Sequence, residues 1–192
     1  MLPGHWQLRV ELFLTDNLSF RIEPVQQATL EHRFPFSFER LAEIREERYH
    51  HLDIWDMFSA AILLKEDDDG TIRRREYKLL IKTALPLFAQ KLLANGEALS
   101  CHEVTTLDRK KREYRSETVL KIVNSAINFK ELSLYTPDGT EHSKRVIDIE
   151  ANVRIPAVGK PIEKLIVYEF REQSGVDCER ILKFAKEKYP TA

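Results

Sequence analysis

Ile147-Asp148-Ile149-Glu150-Ala151-Asn152-Val153-Arg154-Ile155-Pro156 runs directly into Ala157-Val158-Gly159-Lys160-Pro161-Ile162-Glu163, and the change of period between the two stretches decides the fold. In the first, apolar and polar residues alternate without a break. Ile147, Ile149, Ala151, Val153 and Ile155 fall on one face; Asp148, Glu150, Asn152 and Arg154 fall on the other. That period predicts a strand with one buried and one wet face. Pro156 stops it. From about Lys160 to Lys188 the period becomes helical. Ile162, Leu165, Ile166 and Phe170 make one stripe, and Cys178, Ile181, Leu182 and Ala185 a second, with Gly175 between them. A sheet with an apolar face must cover it, and this last helix is the one element long enough to do so.

Toward the N-terminus, residues from about 57 to 155 read as strand throughout. Segments 57–65 and 71–83 flank the turn Asp67-Asp68-Asp69-Gly70, and 97–107 and 112–123 flank Asp108-Arg109-Lys110-Lys111. A strand at 127–135 ends in the turn Pro137-Asp138-Gly139. Its apolar phase slips between Phe129 and Leu132, which predicts a bulge. Upstream, 27–34 reads as a strand. Ser37 then caps a short helix reaching about Arg48, with Phe36 and Leu41 placed as a hydrophobic staple. Residues 49–55 read as a connection. Residues 5–22 alternate as a hairpin around Asp16-Asn17, with Trp6, Leu8, Val10, Leu12 and Leu14 on one face. The fold class is α+β. A curved antiparallel sheet of about seven strands wraps on a long C-terminal helix, with residues 1–26 as an N-terminal hairpin extension of a domain covering 27–192.

Composition narrows the function classes. A chain of 192 residues that is 43% hydrophobic supports a substantial core. Net charge is −1 with both signs interspersed, unlike a nucleic-acid binder. Two cysteines, Cys101 and Cys178, read as reduced thiols of a cytoplasmic protein. No secretory leader or membrane-spanning apolar run is evident. No phosphate-binding glycine loop, nucleophile elbow or zinc spacing occurs, so no cofactor or metal is expected.

The order of elements resembles the helix-grip fold of the START/Bet v 1-like superfamily over residues 27–188. The run Val153-Arg154-Ile155-Pro156-Ala157-Val158-Gly159-Lys160-Pro161-Ile162-Glu163, a last strand passing through a Pro-x-x-Gly turn into the helix, is similar to a bacterial START-like family of unknown function. A second resemblance is to the PRELI-like phospholipid-transfer proteins. It rests on Glu31-His32-x-Phe34, on Leu85-Pro86 with Leu92 behind, on Glu103 followed by Asp108, and on Glu131-x-x-Leu134-Tyr135-x-Pro137. These resemblances imply a cavity between sheet and helix that holds a hydrophobic, lipid-like molecule. In the PRELI-like proteins the region matching residues 84–96 is implied to act as a lid.

The alternation places Tyr77, Leu79, Ile81, Leu120, Ile122, Phe129, Ile147, Ile149 and Val153 toward the long helix, with Ile162, Ile166 and Phe170 facing back. Leu85, Phe88 and Leu92 would lie on the lid. A concave apolar wall with few polar groups suits a lipid-like ligand. The competing expectation is a solid core. Arg73-Arg74-Arg75 and Arg109-Lys110-Lys111-Arg112 form basic clusters suited to solvated turns or to transient contact with an anionic membrane surface. Asp67, Asp69, Gly70, Ile72 and Glu76 approach a calcium-loop spacing, but Lys65 stands where the first carboxylate is needed, so a strand turn is expected. His50, His51 and Asp53 read as surface residues. Cys101 and His102 should face opposite sides of a strand.

Three functions fit: binding or transfer of a hydrophobic small molecule, a cyclase- or hydrolase-like enzyme using Tyr77, Tyr114, Glu103 and Thr118, or a protein-interaction module presenting the N-terminal hairpin. The absence of a base–nucleophile pair favours binding over catalysis. Oligomeric state is not legible.

Overall fold

The computed structural model describes residues 26–82, 99–122, 126–157 and 159–190. The hairpin expected at 5–22 and the lid expected at 84–96 lie outside them. Strand β1 (Gln26–Phe34) is followed by helix α1 (Phe38–Glu47) and a single 3₁₀ turn (Arg48–His50). Strands β2 (Phe58–Asp68), β3 (Ile72–Ile81), β4 (Ser100–Asp108), β5 (Glu113–Ile122), β6 (Ile127–Pro137) and β7 (Ser143–Val153) follow in a meander. Helix α2 (Gly159–Lys188) closes the chain. The sheet is antiparallel with spatial order β1-β7-β6-β5-β4-β3-β2. The helix-grip architecture is therefore as expected. No described helix is long and apolar enough to cross a membrane.

Local chemistry fixes the turns. Asp68 accepts the Gly70 amide at 2.9 Å, and Asp69 accepts those of Thr71 and Ile72 at 2.8 and 2.7 Å. Gly70 has φ +87°, a left-handed backbone that side chains resist. The carboxylates of this segment thus serve the turn, in line with the strand-turn reading. Ser37 caps α1 by accepting the Arg40 amide.

The junction between β7 and α2 is tight. A Cβ on Gly159 would stand 2.3 Å from the Val153 carbonyl oxygen, so the helix can begin here only with glycine. Glu163, one turn on, accepts the Val153 amide at 2.9 Å and pairs with Lys160 at 3.1 Å.

Two expectations need correction. Strand β6 has no bulge: it keeps unbroken register with both β5 and β7 from Ile127 to Tyr135. Phe129, Glu131, Ser133 and Tyr135 all point inward and are buried, whereas Leu132 and Leu134 are less buried on the other face. The apparent slip arose because a glutamate and a serine occupy core positions. Helix α2 likewise packs on a face that includes Glu163, Ser174 and Asp177 with Val167, Ile181 and Phe184, rather than on two purely apolar stripes.

Candidate functional site: the concave face of the sheet

Register across the sheet sorts the inward side chains into rows. Nearest the α1 end stands His32–Arg145–Tyr135–Tyr114–Leu107–Arg73. Next comes Leu30–Ile147–Ser133–Ser116–Thr105–Arg75, then Ala28–Ile149–Glu131–Thr118–Glu103–Tyr77. Beyond these lie Ala151, Phe129 and Leu120. The concave face therefore grades from aromatic, through hydroxyl and carboxylate rows, to an apolar end.

The α1 end is a closed core. Phe34, Leu41, Ile44, Trp55, Tyr135 and Ile181 are at most 1% exposed and pack together. Against it lies a buried charge network of three guanidinium groups and three carboxylates. Asp177 of α2 accepts from Arg45 at 3.0 Å, Arg145 at 2.6 Å and the Trp55 indole at 2.9 Å. Arg145 also reaches Glu131 at 3.1 Å and Ser133 at 3.1 Å. Glu103 accepts from Arg48, from Tyr49 at 2.5 Å and from Ser116 at 2.8 Å. Tyr49 in turn stacks on Tyr77, ring centroids 3.9 Å apart.

Burial would raise the Asp177 carboxyl, but Arg45 and Arg145 overcome it and hold the group far below its ordinary range. Glu103 is lowered in the same way, burial being outweighed by Arg48 and by the Tyr49 and Ser116 hydroxyls. Burial pushes the Cys101 thiol up to about 12, which makes it inert at neutral pH. His102, its neighbour, is exposed on the opposite side.

The apolar end is organised differently. Helix α2 packs on β7 and β1. There Val167, Ile166 and Phe170 meet Phe129, Ile147 and Ile149, the Phe129 and Phe170 rings lying 4.7 Å apart. Tyr77, Leu79 and Ile81 do not join that contact. They form a separate cluster with Tyr49, Cys101 and Phe58, which includes no α2 residue. They line the same face of the sheet as Phe129, Ile147 and Ile149. Leu120 touches both clusters. Leu120, Ile81, Ile162, Ile166 and Phe170 all remain partly accessible. Val153 is buried at the α2 junction. Leu85, Phe88, Leu92 and the Ile122 side chain lie outside what is described.

The enzyme candidates are dispersed in role. Glu103 is 1% exposed but committed to Arg48. Tyr114 packs edge-on against Tyr135, Tyr77 is stacked, and Thr118 is partly buried beside Glu103. The arginines of both basic clusters have carboxylate partners: Arg73 and Arg75 with Glu46, Arg74 with Glu76, Arg109 with Asp68, Arg112 with Glu39. A groove of about 570 Å³ between α1 and Arg73, Arg75, Arg109 and Arg112, lined also by Phe38, Ala42 and Leu107, takes in the β3–β4 end of the rows nearest α1.

Arg45, Arg145, Glu131 and Asp177 were not foreseen. Their signal was a charged residue in phase with a buried face: Arg145 with Ile147 and Ile149, Glu131 with Phe129, Asp177 one turn before Ile181.

A meandering sheet gripping one long helix defines the START/Bet v 1-like helix-grip fold. The Zhui aromatase/cyclase from Streptomyces sp. R1128 shares it, with TM-score 0.62 and 11% identity over 86% of this chain and 96% of that chain. Norcoclaurine synthase from Thalictrum flavum superposes with TM-score 0.55 and 14% identity over 93% and 99%. A START superfamily protein from Mycobacterium smegmatis gives 0.51 and 11% over 82% and 98%. At such identities the likeness is one of fold. No curated protein matches the chain. The PRELI-like family model matches residues 39–188, and the chain belongs to the PRELI-like family.

Proposed function

We propose that this protein binds, and passes between membranes, a hydrophobic lipid-like molecule held at the apolar end of the concave face. One observation supports the reading: the apolar residues at that end fall into two clusters, of which only one includes α2 residues. There α2 leans over β7 and β1, while Tyr77, Leu79 and Ile81 on the far strand cluster with no α2 residue. Leu120, which touches both clusters, and Ile162, Ile166 and Phe170 of α2 keep accessible apolar surface. Apolar surface left accessible inside a fold gains on the order of 25 cal/mol per Å² when a ligand covers it. Membership of the PRELI-like family supports the same reading.

Catalysis by the concave face is the weaker alternative. Glu103 is held ionised by Arg48 and by hydroxyl donors, so it is poorly matched to proton transfer near neutrality.

The test is native mass spectrometry of the full chain, as purified and after exposure to phospholipid vesicles. A bound species of lipid mass, lost on organic extraction, is expected. A protein of bare polypeptide mass under both conditions would overturn the reading.

A further inference from the structure

The arginines of the two basic runs are neutralised in the fold, and surplus cations lie elsewhere. Every carboxylate of β2 and β3 has a basic partner: Glu66 with Arg75, Asp67 with Lys65, Asp68 with Arg109 and Glu76 with Arg74. Asp56, which precedes β2, is bound to Arg180. Lys78 of β3 and Lys82, just past its end, are exposed and have no carboxylate partner among the described residues. They are the surplus charge of this edge of the sheet, toward its apolar end.

Beside them lies exposed apolar surface. Strand β2 ends the sheet, and its adjacent residues Ile62, Leu63 and Leu64 are 44%, 48% and 55% exposed. Ile62 stands opposite Lys78 in register, and Leu63 opposite Tyr77 of the concave face. The trio thus joins the lysines on the outer face to apolar residues on the inner one. Register shifts between Phe58 and Ala60 and between Leu63 and Lys65 interrupt the strand. Only Ala60 to Leu63 keep unbroken register between the two shifts. So short a regular stretch is a poor template for another strand, which disfavours a second copy added edge to edge.

We propose that the β2 edge is a docking surface for an anionic membrane: Ile62, Leu63 and Leu64 enter the bilayer interface while Lys78 and Lys82 meet its headgroups. Exposed aliphatic side chains beside unpaired lysines match the two components of such a surface, an apolar interior beneath a layer of negative charge. The arginines of the two runs, by contrast, stay committed to carboxylates. The inference goes beyond the lipid-binding reading and rests on it for its purpose, since the trio abuts the concave apolar residues through the Leu63–Tyr77 pair.

The test is sedimentation of the full chain with vesicles of phosphatidylcholine alone and of phosphatidylcholine mixed with phosphatidylserine. Wild type should prefer the anionic vesicles, with about fivefold in affinity from each lysine. Lys78→Glu/Lys82→Glu should therefore weaken that binding by about tenfold or more, an effect that shrinks as salt screens the charges. Leu63→Ser/Leu64→Ser should weaken it at every salt concentration. Lys110→Glu/Lys186→Glu makes the same change of net charge at exposed positions in the β4–β5 turn and the last turn of α2, and should bind as wild type does. Circular dichroism should stay native throughout. Wild type indifferent to vesicle charge, equal losses in the two lysine variants, or a leucine variant that binds as wild type does would each overturn the docking surface. So would a dimer in light scattering that Leu63→Ser/Leu64→Ser dissociates, which assigns the edge to a second copy. Lipid retention, read by mass on the same samples, separates the two readings. Retained lipid alongside any of those outcomes leaves lipid binding standing, whereas docking through these residues with no lipid retained overturns the lipid-binding reading alone.

Discussion

Asp177, near the middle of α2, holds Arg145 of β7 at 2.6 Å inside the protein, and the same carboxylate binds Arg45 of α1 at 3.0 Å. One acid thus ties the helix to the sheet and to α1. Taking charges out of water is expensive, so the network is stable only when complete.

Asp177→Asn should therefore destabilise the fold by about 3–5 kcal/mol, because buried Arg45 loses its carboxylate and Arg145 keeps only Glu131. Urea unfolding measures it. The pH dependence follows from the same contacts. Asp177 and Glu103 sit below their ordinary values of 3.8 and 4.5 in the folded protein. Groups lowered on folding stabilise above the unfolded value, and that stability is lost as pH falls through the folded one. Stability should drop steadily below about pH 4–5 in the wild type. The drop should be shallower in Asp177→Asn, which has one fewer carboxylate to protonate. Parallel curves for the two proteins would contradict the assignment.

The two glycines of α2 should behave oppositely. Gly159→Ala drives a Cβ to 2.3 Å from the Val153 carbonyl, so it should cost about 1–3 kcal/mol or more by overpacking. A Cβ on Gly175 meets nothing within 4 Å, so Gly175→Ala should be neutral or stabilise by about 0.5–1 kcal/mol through helix propensity. Thermal melts of the two variants read the contrast. Equal effects would mean that the β7–α2 junction is looser than described.

Much of this was legible beforehand, and the parts that were not share a cause. Period-2 and period-3.6 patterns located the strands and α2 because most core positions are apolar. The same rule failed at Glu131, where a buried acid in phase with Phe129 imitated a bulge. It also hid Asp177 and Arg145, since periodicity treats every charge as solvent-facing. Side-chain phase likewise placed Tyr77, Leu79 and Ile81 on the correct face. What lies opposite them depends on how far α2 shifts toward β1, which one chain's periodicity does not encode.

The Arg48–Glu103 pair offers a cleaner test of whether these charges are mutually dependent. Glu103 is 1% exposed, and Arg48 supplies its only guanidinium contact among the described residues. Arg48→Met or Glu103→Leu alone should cost about 3–5 kcal/mol, each stranding an uncompensated charge. The double variant should recover a large share of that loss, since an apolar pair of similar volume avoids the desolvation cost. Tyr49 and Ser116 lose their acceptor in the double variant, so recovery should be incomplete. Strict additivity in a double-mutant cycle would show that the pair is not coupled.

Phe170 and Tyr168 separate a ligand wall from a merely structural helix. Phe170 rests on Phe129 at the apolar end of the concave face, and it keeps some accessible surface. Tyr168, on the outer side of α2, is 59% exposed. If the apolar end holds a lipid, Phe170→Ala removes contact area worth about 1.5–3 kcal/mol, or roughly tenfold or more in lipid retained. Tyr168→Ala should leave retention unchanged. The fold itself also loses packing in Phe170→Ala, so melting temperature must be read alongside. The ligand-wall reading requires that added lipid raise the melting temperature of the wild type and of Tyr168→Ala, but much less that of Phe170→Ala, because a ligand stabilises only the state that binds it. Equal lipid-induced shifts in all three would place the ligand elsewhere.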